Sequence, residues 1–341
     1  MRQARLKAPS DAGTAFYHCI SRIVDRGFRL GDEEKERFVG LMREYERFCG
    51  VRVITYCVMS NHFHILVEVP RRPEETLGDK QLVALLRGLS GMTEAGTVEQ
   101  RLGWFRERGQ PEAAEALKQR VMARMWDVSG FMKSLKGRFT QWYNRAHQRK
   151  GTLWEERFKS VLVEGAGTGM AAMAAYIDLN PVRAGLVEDP KDYRWCGYGE
   201  ALGGGVQAGE GLGRAMAGVK GAPMSLRESL AGYRMWLFGR GEENEGTLAD
   251  GRPKRRGMAP EAVAAVVKAK GQLPLVEYLR LRVRYFTDGA VLGTRGFVNE
   301  IFTALRERFG AKRKDGARRM RYLDGEGLYC LRDLRVRVIG P

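Results

Sequence analysis

Residues 51–70, VRVITYCVMSNHFHILVEVP, leave the backbone little choice. β-Branched and aromatic residues fill two runs, and Ser60-Asn61 between them is turn chemistry, so the stretch reads as two strands joined by a tight turn. The second run is almost wholly apolar and reads as a buried strand, yet it holds two of the chain's four histidines, His62 and His64; the others are His18 and His147. Residues i and i+2 of a strand project to one face, so the two imidazoles point together while Phe63 and Ile65 point the other way.

The segments around this hairpin alternate in period. AFYHCISRI (15–23) reads as a strand. DEEKERFVGLMREYERFCG (32–50) carries Phe38, Leu41, Met42, Tyr45 and Phe48 at helical spacing, opens with acidic residues and ends at Gly50, as a helix should. A helical region follows from about 77 to 148, broken near Gly103, Gly109 and Pro111. Its last part has a core stripe of Phe131, Leu135, Phe139, Trp142 and Tyr143, with Lys133, Lys136, Arg138 and Arg145 forming a solvated or DNA-facing surface. TLWEERFKSVLVE (152–164) reads as a strand and TGMAAMAAYIDLN (168–180) as a helix halted by Pro181.

Strand, helix, strand, strand, helix, strand, helix is an order that suits an α+β fold, one antiparallel sheet with helices packed on it, over residues 1–200. The stretch at about 77–125 is a helical insertion in it. LGGGVQAGEGLGRAMAGVKGA (202–222) reads as a glycine-rich linker, and PMSLRESLAGYRMWLFG as one further helix within 201–250. Residues 251–341 are expected to form a mainly helical basic domain: a hinge at GRPKRRG, three short helices from Pro260 on with a turn at TDGAVLG, and a terminal hairpin over RRMRYLDGEGLYCLRDLRVRVIG.

Charge narrows the function. The chain has 58 Lys and Arg against 41 Asp and Glu, a net +17, and 21 of the basic but only 9 of the acidic side chains fall in 251–341. That field favours polyanions, nucleic acid above all. No apolar run approaches the roughly 20 residues that cross a bilayer, so no membrane partner is expected. Five scattered cysteines without CxxC spacing suit a reducing cytoplasm and argue against a thiolate zinc site.

A pair of imidazoles on one strand face can ligate a divalent cation if a third ligand comes from elsewhere, although a lone HxH is more often without a role. In AAYIDLNPVRAGL, Tyr176 and Asn180 lie four apart and share a helix face, approximately so because Pro181 loosens helical geometry at Asn180. Each alone is unremarkable: a helix tyrosine, and an asparagine ending a helix before proline.

Together, MSNHFHILVEVP, FMKSLKGRFTQWYNRAHQRKGTLWEERFKS and AAYIDLNPVRAGLVEDPKDYRWCGYGE resemble the REP-associated tyrosine transposases, single-tyrosine members of the HUH endonuclease superfamily, over about residues 14–200. The resemblance implies a ferredoxin-like antiparallel sheet with packed helices. By position it implies Tyr176 as the catalytic nucleophile and His62, His64 and Asn180 as ligands of a divalent metal, Mg²⁺ or Mn²⁺. The implied substrate is single-stranded DNA with hairpin structure, cleaved and rejoined through a 5′-phosphotyrosine by a monomer or homodimer.

The chemistry of these residue types agrees. A phenol with a pKa near 10 is a poor nucleophile at neutral pH, and a cation on the scissile phosphate would offset developing charge. Arg157 and Lys159 could hold phosphates, and Trp154 either stacks on an unpaired base or is core. The basic tail is either a helix-turn-helix-like DNA-binding module or a solvated domain. Two other functions fit the same residues: a DNA- or RNA-binding regulator with an unused site, and a phosphodiesterase that uses water.

Overall fold

The computed structural model describes residues 6–9, 12–89, 94–238, 275–323 and 327–332. The expected α+β architecture is present. Strand β1 (Thr14–Arg22) leads to helix α1 (Asp32–Cys49), then to β2 (Arg52–Val58) and β3 (His62–Pro70). Helices α2 (Asp79–Arg87), α3 (Glu94–Glu107) and α4 (Pro111–Met122) occupy the stretch expected to be a helical insertion, followed by α5 (Val128–Ala146), β4 (Lys159–Val163) and α6 (Thr168–Asp178). Neighbouring strands run β2-β3-β1-β4, every pair antiparallel, which is the ferredoxin-like order.

Local chemistry sets the boundaries. Three acidic residues open α1, and Gly50 ends it in the left-handed conformation (φ 62°), its N–H returning to the Arg47 and Glu46 carbonyls. Gly103 is passed over inside α3, whereas Gly109 (φ 64°) breaks the chain and Pro111 starts α4. The strand expected over 152–164 forms only from Lys159, because the chain before it departs from the ladder after a single bridge between Ile23 and Trp154.

The sheet separates two apolar layers. On one side Phe63, Ile65 and Tyr17 pack with Phe38 and Leu41 of α1 and Phe131, Leu135 and Phe139 of α5. On the other, Phe16, Leu66, Cys57 and Val161 pack against α6. Every residue of α6 from Gly169 to Asp178 is buried, which is why its sequence is alanine and methionine without an amphipathic stripe.

The glycine-rich stretch corrects an expectation. After the short helices α7 (Asn180–Arg183) and α8 (Gly197–Leu202), Val206–Lys220 is not a linker but a helix, α9, lying against β2 and α6. Glycine there serves close approach: a Cβ on Gly211 would stand 2.3 Å from the Ile54 carbonyl oxygen. Helix α10 (Leu226–Phe238) is present as expected and packs beside α9.

Among the described residues, the C-terminal part contains three short α-helices, Leu275–Leu279, Tyr285–Asp288 and Arg295–Ala304, and it also contributes to the sheet. Within TDGAVLG, Val291–Gly293 is a strand parallel to β4, continued by antiparallel two-residue strands at Tyr329–Cys330 and Arg318–Arg319, for seven strands among the described residues. The helix expected over LPLVEYLRLRVRYF is interrupted between Leu279 and Tyr285. GRPKRRG, the Pro260 helix start and the end of the terminal hairpin lie outside the described residues.

Candidate active site

β3 projects His62 and His64 to the α6 side of the sheet, their ring centroids 5.1 Å apart and the planes at 81°. Each is held by a hydrogen bond at Nδ1. For His62 the partner is Asn61 Oδ1 at 2.6 Å; Asn61 Nδ2 donates to the Arg26 carbonyl at 3.2 Å, which fixes the amide so that the oxygen faces the imidazole. For His64 the partner is Nε2 of His18 on β1 at 2.8 Å, and Nδ1 of His18 in turn meets the Phe286 carbonyl at 2.8 Å.

These contacts assign the protons. Burial, first of all, lowers the pKa of His18 to about 3, of His62 to about 4 and of His64 well below its usual value, so all three are neutral at pH 7. A neutral imidazole has one N–H, and a carbonyl only accepts. His18 therefore carries its proton on Nδ1 and accepts at Nε2 from Nδ1–H of His64. His62 donates from Nδ1 to Asn61. Both members of the pair keep an unprotonated Nε2, the form that binds a metal.

Tyr176, on α6, lies between two groups. The Phe286 ring stacks on it at 4.5 Å and 12°, and the Arg183 guanidinium stands 4.0 Å from the ring centre. Arg183 belongs to the short helix α7 (Asn180–Arg183) and donates to the carbonyls of Tyr176 and, at 2.8 Å, Leu279. The phenol is buried, which raises its pKa; Arg183 and Arg282 oppose the rise, as does a main-chain hydrogen bond from Val283.

The imidazole pair and the phenol share surroundings. Arg183 and Arg282 act electrostatically on His62 and on Tyr176 alike, Arg22 pairs across the sheet with His62, and Phe286 touches both His18 and Tyr176. Three guanidinium groups around two neutral imidazoles make an environment for an anion such as a phosphodiester.

Asn180 follows directly after the α6 cap, so α6 ends earlier than a continuous 168–180 helix would. Its Nδ2 donates to the Ile177 carbonyl at 3.1 Å, which leaves Oδ1 as its donor atom toward a cation. Among the described residues no group of three or more His, Cys, Asp or Glu side chains is arranged to hold a metal. The donor atoms that these three residues offer are two imidazole Nε2 atoms and one amide oxygen, a weak set of the kind that suits a hard cation taking further oxygens from a phosphate.

The other candidates lie apart from this cluster, with one exception. Lys133, Lys136 and Arg138 are on α5, which covers the opposite face of the sheet, and Lys136 donates to the Glu156 carbonyl at 3.0 Å. Trp154 is buried, its ring against Phe63 at 5.3 Å and its Nε1 donating to Thr140 Oγ1 at 2.9 Å, so it is core and not a platform for a base. Arg157 is exposed. Lys159 is the exception: its ammonium pairs with Asp288, 3.3 Å away, next to the Tyr176 surroundings.

Sequence reasoning missed His18, Arg183 and the segment around Phe286. His18 was within reach of a cross-strand argument: Ile20 faces His64, and His18 lies one alternation away on the same side. Nothing in the sequence signals that residue 286 reaches the same place.

Residues 13–80 match the family described as Transposase IS200 like. The resemblance read from the sequence is thus borne out over the segment that holds β1, α1, β2 and the histidine pair; Tyr176 and Asn180 lie beyond it. No curated protein matches the chain. A solved structure described as the REP-associated tyrosine transposase bound to a REP hairpin is 14% identical, covers 60% of this chain and 86% of that chain, and superposes with a TM-score of 0.36. No helix among the described residues is long and apolar enough to cross a membrane.

Proposed function

We propose that the chain is a metal-dependent DNA endonuclease and transposase that cleaves and rejoins single-stranded DNA through Tyr176. The observation that carries this reading is the locked imidazole pair, each Nε2 free, in the same arginine-rich surroundings as a buried phenol. Tyr176 Oη attacks the phosphorus, the phenol gives up its proton, and the departing 3′-oxygen leaves as a 3′-hydroxyl; the 5′ side stays on the protein as a phosphotyrosine. A divalent cation on His62, His64 and Asn180 supplies charge neutralisation at the scissile phosphate when bound. Arg22, Arg183 and Arg282 supply fixed positive charge, and the intermediate keeps the bond energy needed for rejoining. Hairpin-forming single strands are the substrate class that the sequence resemblance implies.

The test is incubation of the full chain with 5′- and 3′-labelled hairpin oligonucleotides and Mn²⁺, followed by a denaturing gel. A covalent adduct on the 5′ side of the break, lost in Tyr176→Phe while hairpin binding stays within about threefold, is the expected result. Product without adduct would point to hydrolysis by water. One observation favours a binding regulator instead: Tyr176 is 2% exposed beneath Phe286, closed to a strand in this conformation. Hairpin binding without adduct or cleavage in the wild type would establish that reading.

A further inference from the structure

His18 is fully buried on the face of the sheet that carries the pair, edge to edge with His64 with ring centroids 5.0 Å apart and the planes within 21°, and hydrogen-bonded at both nitrogens. Without it, Nδ1–H of His64 would have no partner in a buried site, and the proton would be free to move to Nε2, where it blocks ligation. The far end of the relay is a main-chain carbonyl 268 residues away, on the segment that also supplies the ring stacked on Tyr176.

We propose that His18 is a positioning residue of the metal centre: anchored by the Phe286 carbonyl, it holds His64 as the Nδ1–H tautomer and so keeps the His64 Nε2 lone pair directed at the cation. The C-terminal segment is then a working part of the centre and not a separate module. This rests on His62 and His64 being metal ligands, but not on Tyr176 being a nucleophile, and its readouts need no DNA. A metal-binding imidazole whose second nitrogen loses its partner typically binds about ten- to a hundredfold more weakly.

The experiment uses the full chain. Long-range ¹H–¹⁵N correlation spectra of the metal-free protein report the His64 tautomer, and Mn²⁺ titration followed by electron paramagnetic resonance reports affinity. The wild type is expected to show His64 with its proton on Nδ1. His18→Leu fills the space but accepts no hydrogen bond; it should move the His64 proton toward Nε2 and weaken Mn²⁺ binding by about ten- to a hundredfold. His18→Gln can donate to the Phe286 carbonyl and accept from His64, and should restore the tautomer and bring affinity back to within about threefold. A wild-type His64 protonated at Nε2 would overturn the proposal even if His18→Leu failed to fold. So would a folded His18→Leu protein with the wild-type tautomer and affinity. Absence of a DNA adduct in the wild type, by contrast, would remove the nuclease reading and leave these measurements standing.

Discussion

Asp178 lies two residues beyond the candidate nucleophile and does structural work. Its buried carboxylate accepts from Thr55 Oγ1 at 2.9 Å, from Tyr233 at 2.5 Å and from the Tyr198 N–H at 3.2 Å, tying α6 to β2, α10 and the short helix Gly197–Leu202. Burial outweighs these donors and lifts its pKa from 3.8 to about 7. A carboxyl whose folded pKa is raised stabilises the fold fully below pH 4 and loses that contribution as pH rises through 7. The depressed imidazoles act oppositely: their contribution is present above pH 6.5 and is lost as pH falls toward 4. Three imidazoles outweigh one carboxyl, so the urea midpoint should fall between pH 7 and pH 5. In Asp178→Asn the compensating carboxyl is gone and that fall should be steeper; equal falls would contradict a raised carboxyl pKa.

At the scale of elements, the contact between α9 and β2 is the most exacting. Gly211→Ala places a methyl 2.3 Å from a main-chain oxygen, and main chain does not swing away as a side chain does. The expected cost is about 1–3 kcal/mol in urea denaturation, with Gly213→Ala, whose Cβ would meet nothing nearer than 3.7 Å, as the near-neutral control. This contact also marks what the sequence conveys and what it hides. Long periodic segments such as α1, α5 and the β2–β3 hairpin announce themselves, since each has enough residues to display a period. Glycine is ambiguous: in a sequence it reads as conformational freedom, whereas in α9 it is the absence of a side chain that matters. Strands of two or three residues, such as Val291–Gly293, have no period to display and exist only because β4 offers an edge. The candidate site divides in the same way. His62, His64, Tyr176 and Asn180 sit in recognisable strings, while His18 and Phe286 take their meaning from contacts 46 and 268 residues distant in the chain.

At the scale of the molecule, the C-terminal segment is continuous with the sheet that carries the candidate site. The Leu162 N–H donates to the Ala290 carbonyl at 3.0 Å and the Glu164 N–H to the Leu292 carbonyl at 2.9 Å, so β4 does not end the sheet. Weakening this seam should loosen the cover on Tyr176. Phe286→Ala removes the ring stacked on Tyr176 and should cost about 3–5 kcal/mol of stability, together with faster amide exchange in α6. Unchanged exchange in α6 would show that the segment is not what shields it. Net charge adds a further expectation: with +17 over the chain, hairpin affinity should drop steeply between 50 and 200 mM salt, roughly linearly on a double-logarithmic plot.

The Phe286 carbonyl and ring also bear on biosynthesis. A ribosome delivers the histidine pair and the tyrosine long before it delivers residue 286, and domains begin to fold as they emerge. A nascent or prematurely terminated copy therefore carries the imidazole pair and the phenol without the segment that contacts His18 and covers Tyr176. Competence and restraint arrive in the same late stretch of polypeptide.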